Sequence, residues 1–486
     1  MRKKLCLLLI LFLAVSLSSC KDTESPQPEV NTSASKGELY SLYQDDTLPD
    51  DLNFGLEKVS ILYWSDVEMQ EFTADNSDNT NSDIVNDAIY SRNIYVENRL
   101  HVSLQWIPQV GSATDHNYNK FTAAVQNDQL ADLEYDMYAT YSPGAGILAS
   151  KGFNHDLLSV QYFNPDMPWW PSSLIDVCSI GGKLYYTSGD ISTNTLHFMY
   201  GTYYNKDKIN DMGATDPYKL VQSNEWTLDR MFEMSKNLYQ DAGTGNPQDN
   251  GYGIVTHQIH FDAFFIASGM TMVTRDSEEN WCLSSDFTSS KCYDLVVKAG
   301  TNLVASDDSF VGEGYQTIFV EQRSLFAVDR IYLAGLRLRE VPFSYGVVPM
   351  PKYDSDQADY YTCVGHPFTL YCIASTLDTD RANRAGAVLE CLASEAYRRT
   401  SPAVFEQTYK LRYSDSGEVS EMFDLIRAGI VFDVGRIQNV ATGQPYQIFQ
   451  SGVASVGSGW TVLNKANAEA LSEKIRILVE TLKTIP

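Results

Sequence analysis

The chain has 486 residues, 44% of them hydrophobic and 12% aromatic, which excludes wholesale disorder and leaves room for two lobes with sizeable cores. With 36 basic residues against 62 acidic ones, its formal net charge is −26 at pH 7. That balance opposes binding to nucleic acid or to an anionic membrane surface.

Arg2, Lys3 and Lys4 precede an apolar run from Leu5 to Leu17, and Ser18-Ser19-Cys20 follows. The run is too short to span a bilayer comfortably as a permanent helix. The layout resembles a bacterial lipoprotein signal, in which residues 1–19 are removed and Cys20 carries the lipid. Removing those residues leaves 33 basic residues against 62 acidic, a net charge near −29. Lys21 to about Asp51 is rich in Ser, Thr, Pro, Asp and Glu, so residues 20–56 are expected to form the lipidated cysteine and a flexible acidic tether. The expected place is the outer face of the plasma membrane, more in keeping with a Gram-positive cell. The lipid would be the sole membrane attachment, with no nucleic-acid partner.

From Lys58 the pattern changes. Val59 to Trp64 reads as a strand, and Ser82 or Asp83 can cap a helix carrying Ile84, Val85, Ala88 and Ile89. His101–Ile107 is a second strand, a helix follows around Tyr118–Asp128, and Tyr135–Tyr141 is a third strand before a helix opened by Pro143-Gly144. Strands alternating with helices imply parallel βαβ units. Beyond Pro168-Trp169-Trp170-Pro171, strands are expected at Lys183–Thr187 and His197–Tyr204, and Thr227 can cap a helix. Gln316–Phe319 and Leu325–Val328 read as strands, as do Phe343–Val348 and Thr369–Ile373. Asp378 or Thr379 can cap the helix that runs to about Arg398. The last helix carries Leu471, Ile475, Leu478, Val479 and Leu482 on one stripe.

Four stretches carry a resemblance. They are Tyr203-Tyr204-Asn205-Lys206-Asp207 leading to Trp226-Thr227; Arg323 to Val328 with the return Tyr345-Gly346-Val347-Val348-Pro349-Met350-Pro351; Ile373-Ala374-Ser375 with the helix after it; and Ala88-Ile89-Tyr90 with Arg92-Asn93. In this order they resemble the carbohydrate-type (family 1) extracellular solute-binding proteins of ABC importers. Asp329-Arg330-Ile331-Tyr332 stands where that family often has Gly-Trp. The resemblance implies an α/β, two-lobed periplasmic-binding-protein-like fold with a ligand cleft between the lobes. Residues 57–165 plus about 308–345 would form the N-terminal lobe, and 166–307 plus about 346–486 the C-terminal lobe. It also implies a monomer that captures a carbohydrate, an oligosaccharide by expectation, through lobe closure and delivers it to permease subunits. No covalent chemistry and no cofactor are then required. The alternatives are a secreted carbohydrate-active hydrolase and a helical surface glycan-binding lipoprotein.

A sugar site wants aromatic platforms beside planar hydrogen-bonding side chains, and ligands of open α/β sheets lie off the carboxyl ends of strands. Those two requirements nominate Trp64 and Asp66 after the first strand and Tyr141 after the third. They also nominate Trp169 and Trp170 at the rigid turn, Asp190 after a strand, Phe261 and Asp262 opening a helix, Arg330 after an apolar strand, and His366 in a turn. Cys282 and Cys292 flank a short polar segment and could close a disulfide, although spacing alone does not give connectivity. No close Cys pair or finger-type His spacing points to a metal, and the His257, His260 pair lacks a third ligand. Gly144-Ala145-Gly146-Ile147-Leu148-Ala149 formally fits a dinucleotide pattern but reads as a tight turn.

Overall fold

The computed structural model describes residues 44–74, 84–131, 133–410 and 417–485. The signal segment, Cys20 and the expected caps Ser82 and Asp83 lie outside them. The strands in chain order are β1 (Glu57–Trp64), β2 (Val102–Gln109), β3 (Met137–Tyr141), β4 (Tyr200–Asn205), β5 (Tyr252–Thr256), β6 (Val273–Arg275), β7 (Trp281–Leu283), β8 (Ser309–Val311), β9 (Ser324–Arg330), β10 (Tyr345–Pro349), β11 (Thr362–Cys363), β12 (Thr369–Ile373) and β13 (Ile430–Val431).

Two mixed sheets organise the chain. The first has the order β12-β3-β1-β2, with β1 parallel to both β2 and β3, and β12 antiparallel to β3. The second has the order β10-β4-β9-β5-β8, in which β5, β8, β9 and β10 run one way and β4, between β10 and β9, runs against them. Val59 to Leu62 and all of β3, β5, β9 and β12 are buried on both faces, as strands covered by helices must be. Period two divides the second sheet between two cores. Tyr203, Val255, Ala327 and Val347 point into one, and Tyr204, Ile254, Phe326 and Val348 into the other.

Thr227 accepts from the Arg230 amide, and Asp378 accepts from the Arg381 amide to open the helix Thr379–Glu395. The stripe on the last helix, Trp460–Thr484, is buried as its spacing requires. Between the sheets two segments run side by side and antiparallel. Thr187 bridges Tyr371, Met199 bridges Val364, and Ser188 Oγ donates to the Thr369 carbonyl at 2.7 Å. Glu71, fully buried in the loop after β1, locks them together. Its carboxylate accepts from the Thr369 hydroxyl, the Ser192 hydroxyl at 3.0 Å and the Asn194 amide at 2.9 Å.

Several expectations are corrected here. Residues 308–345 do not join the first sheet: β8 and β9 pair with β5 and β4, while β12, expected in the other lobe, completes the first sheet. Gln316–Phe319 lies within a helix, Tyr315–Val320, opened by Gly314 at φ +84°. Lys183–Thr187 forms only isolated bridges, and residues 194–197 form a helical turn before β4. The described part of the tether is docked: Leu48 is buried, Arg99 donates to the Leu48 and Pro49 carbonyls, and Arg398 pairs with Asp45. Cys282 and Cys292 are both free thiols. One sits in β7 and the other is buried in the first turn of the helix Ser290–Ala299, so different elements fix their positions. Among the described residues no helix is long and apolar enough to cross a membrane.

Candidate functional site

The carboxyl ends of β1, β3, β5 and β9, with the amino end of β4, supply side chains to one cluster. Tyr141 ends β3, and its ring meets Trp64 edge-on at 5.4 Å; the Trp64 indole donates to Thr369 Oγ1 at 2.8 Å. Trp64 is thereby fixed as the buried support, and Tyr141 is the ring with its hydroxyl unpaired among the described residues. In the second sheet Tyr200 and Arg330 are register partners on β4 and β9, so the two stand side by side.

Arg330 is 8% exposed. Its guanidinium lies 4.9 Å from the centre of the Phe198 ring and 4.5 Å from that of Tyr332, which desolvates and orients it. It donates to Glu68 Oε1 at 3.1 Å and to the Tyr332 hydroxyl at 3.0 Å. Glu68 follows β1, so this ion pair joins segments belonging to the two sheets. Burial alone would weaken the charge on Arg330, but Tyr200, Glu68, Tyr332 and Asp329 more than offset it and hold the guanidinium protonated. Asp329 beneath it is fully buried and accepts from the Tyr315 hydroxyl (2.6 Å), Gln316 Nε2 (2.7 Å) and the Arg330 amide (2.6 Å). Burial raises the Asp329 carboxyl above its ordinary value, against the pull of Arg330 and those donors.

A second buried pair lies close by. Arg436 Nη1 donates to Asp262 Oδ2 at 2.6 Å, Gln450 donates to Asp262 Oδ1 at 2.8 Å, and His366 Nε2 lies 3.9 Å from the same carboxylate. Ser142, after β3, donates to the His366 carbonyl at 2.7 Å and ties this group to the first sheet. Desolvation, then Arg436, pushes His366 well below the usual imidazole range, and desolvation, then Arg330, does the same to His260. Both rings are therefore neutral near pH 7. His260 Nδ1 faces the Val328 carbonyl at 3.0 Å, which places its proton there. Off the ends of β5, β8 and β9 a cavity of about 360 Å³ is lined by His257, His260, Tyr315, Gln316, Arg330 and Tyr332 among others. Among the described residues no group of three His, Cys, Asp or Glu side chains could hold a metal ion.

Of the nominated residues the structure brings Tyr141, Asp262, Arg330 and His366 to this cluster, with Trp64 behind Tyr141. The others go elsewhere. Asp66 braces a loop, accepting from the Gly111 and Ser112 amides, the Ser112 hydroxyl and Asn117. Burial alone would raise its carboxyl, but those bonds outweigh it and lower it. Trp169 and Trp170 are buried, and both indoles donate to Glu390, at 3.1 and 3.0 Å. Asp190 is held 3.5 Å from Arg427, and Phe261 is core. Glu68, Tyr200, Tyr315, Tyr332 and Arg436 were not nominated. Tyr332 alone carried a signal, standing in the segment that departs from the Gly-Trp pattern.

No protein-family model matches the chain, and no curated protein matches it. Solved structures do. The galacto-N-biose/lacto-N-biose I-binding protein of the ABC transporter from Bifidobacterium longum, in complex with lacto-N-biose, superposes with a TM-score of 0.60 at 11% identity, over 87% of this chain and 98% of that one. The cyclic alpha-maltosyl-1,6-maltose binding protein from Arthrobacter globiformis gives 0.55 at 14%, over 88% and 100%. UgpB from Mycobacterium tuberculosis, in complex with glycerophosphocholine, gives 0.51 at 14%, over 80% and 95%. At such identities the likeness is one of fold: this chain has the periplasmic-binding-protein-like fold of ABC-type solute-binding proteins.

Proposed function

We propose that this chain is an extracytoplasmic solute-binding protein that takes a carbohydrate between its two sheet-centred lobes and hands it to the permease of an ABC importer. The observation that carries the reading is the convergence of Tyr141 and Glu68 from one sheet with Tyr200, Arg330 and Tyr332 from the other, where the carboxyl ends of β3 and β9 meet the amino end of β4, on this fold. Tyr141 and Tyr200, buried at the junction of the two sheets, would give ring faces to sugar C–H surfaces when the lobes part, and Arg330 and His366 would give planar polar groups to hydroxyls, with Asp262 already closed by Arg436 and Gln450. Several solved neighbours were captured with or named for saccharides, which supports the ligand class. The paired segments at Thr187–Met199 and Val364–Tyr371, clasped by Glu71, are the natural hinge for closure. Lipid attachment at Cys20 would keep the binder beside its importer at high effective concentration. Binding followed by release needs no covalent step, so no residue is assigned a catalytic role.

The test is a thermal-shift screen of the purified chain against neutral and acidic oligosaccharides. A saturable rise in melting temperature with at least one glycan is expected. Absence of any shift across the screen, with a shift from a non-sugar solute instead, refutes the carbohydrate assignment.

A further inference from the structure

The two arginines of the site differ in what they have left to give. Arg436 is closed: its buried partner Asp262 sits 2.6 Å away and is itself held by Gln450. Arg330 is not. A guanidinium has five N–H donors. Glu68 and the Tyr332 hydroxyl take one each, and Nε is buried with no hydrogen-bond acceptor among the described residues. One further N–H on each terminal nitrogen is also unspent. Arg330 lines the 360 Å³ cavity together with Glu313 and Arg337, whereas Glu68 stands outside that lining.

Its counter-charges are equally unequal. Asp329 balances the guanidinium from within the sheet, its Oδ1 3.9 Å from Arg330 Nε, and already accepts from three donors. The outer partner, Glu68, has a side chain 41% exposed and reaches across from the loop after β1. A carboxylate from outside β9 thus already occupies the approach to Arg330. A ligand carboxylate that displaced Glu68 would leave the local charge unchanged and could use the planar fork in two-point fashion. A neutral ring that displaced Glu68 would strip the guanidinium of its outer counter-charge in a desolvated setting, which costs binding energy.

We infer that the position Glu68 holds against Arg330 is the seat of a carboxylate-bearing sugar, a uronic-acid residue of an oligosaccharide, which displaces Glu68 when it arrives. This rests on the carbohydrate reading above and narrows it to acidic glycans.

The experiment is calorimetric titration of the full chain with galacturonate and glucuronate di- to tetrasaccharides, each paired with the neutral galactose or glucose oligosaccharide of the same linkage and length. The expected result is a preference of about tenfold or more for an acidic member, the scale of one charge-assisted hydrogen bond. Arg330→Gln should erase that preference. Because Arg330 is buried and its variant can lose its fold, Glu68→Gln is the second arm: removal of the competing carboxylate should tighten uronate binding. Neutral partners binding equally or more tightly, or Glu68→Gln weakening uronate binding, would overturn the inference while leaving the carbohydrate reading intact. If no member of either series binds but a non-sugar solute does, the carbohydrate reading itself falls.

Discussion

Glu390 offers a quantitative test of the packing that surrounds the two tryptophans. Its carboxylate is fully buried on the helix Thr379–Glu395 and accepts from both indoles and from the Asn164 amide. Burial lifts its carboxyl to about 7, even though those donors pull it down. An unfolded Glu titrates near about 4.3. The native state therefore binds this proton more tightly than the unfolded chain does, and the sign follows. The stabilising contribution is fully present below about pH 4.3, declines as pH rises through the window from there to about 7, and is gone above it. Between pH 5 and pH 8 the loss from this one group is about 2.5 kcal/mol. Glu390→Gln deletes the titration. It also leaves one indole facing an amide NH2, a pH-independent cost of about 1–3 kcal/mol. Denaturant unfolding of both proteins at pH 5 and pH 8 should show the wild-type advantage shrinking by about 2.5 kcal/mol at the higher pH. Taking the difference between the two proteins removes the contributions of the other buried carboxyls and of the neutral histidines. Parallel profiles, with the gap constant to within about 0.5 kcal/mol, would refute the reasoning.

Two further outcomes are expected. Glu71→Ala leaves the Thr369 and Ser192 hydroxyls and the Asn194 amide without their acceptor between the crossing segments, and should cost about 3 kcal/mol or more in denaturant unfolding. A loss below about 1 kcal/mol would show that the clasp is dispensable. Asp66→Ala should lower stability by about 1–2 kcal/mol through its loop while changing glycan affinity less than about threefold. A tenfold loss of affinity with unchanged stability would return Asp66 to the ligand.

Two of the residues legible from sequence share one property: they end strands whose apolar runs are unmistakable. Tyr141 closes β3 and Arg330 closes β9, and the rule that ligands lie beyond carboxyl ends places both without knowledge of sheet order. What was not legible depends on partners far away in the chain. Tyr200 faces Arg330 because β9 is inserted between β4 and β5, a pairing over 100 residues that no local pattern encodes. Trp169 and Trp170 look like sugar platforms until Glu390, more than 200 residues on, supplies one acceptor for both. The same holds for the tether, whose last part looks solvated until Arg99 takes its carbonyls. Sheet membership of 308–345 failed for a related reason: β8 and β9 are as apolar as first-sheet strands would be, and only their hydrogen-bond partners assign them.

The central claim is that a sugar is held between the two sheets, against Tyr141 on one side and Tyr200 on the other. It is tested most directly by calorimetric titration of the wild type, Tyr141→Ala and Tyr200→Ala with the glycans that shift the melting temperature. The account predicts one site per chain and affinity reduced about tenfold in each variant. Undiminished binding in both folded variants would contradict it.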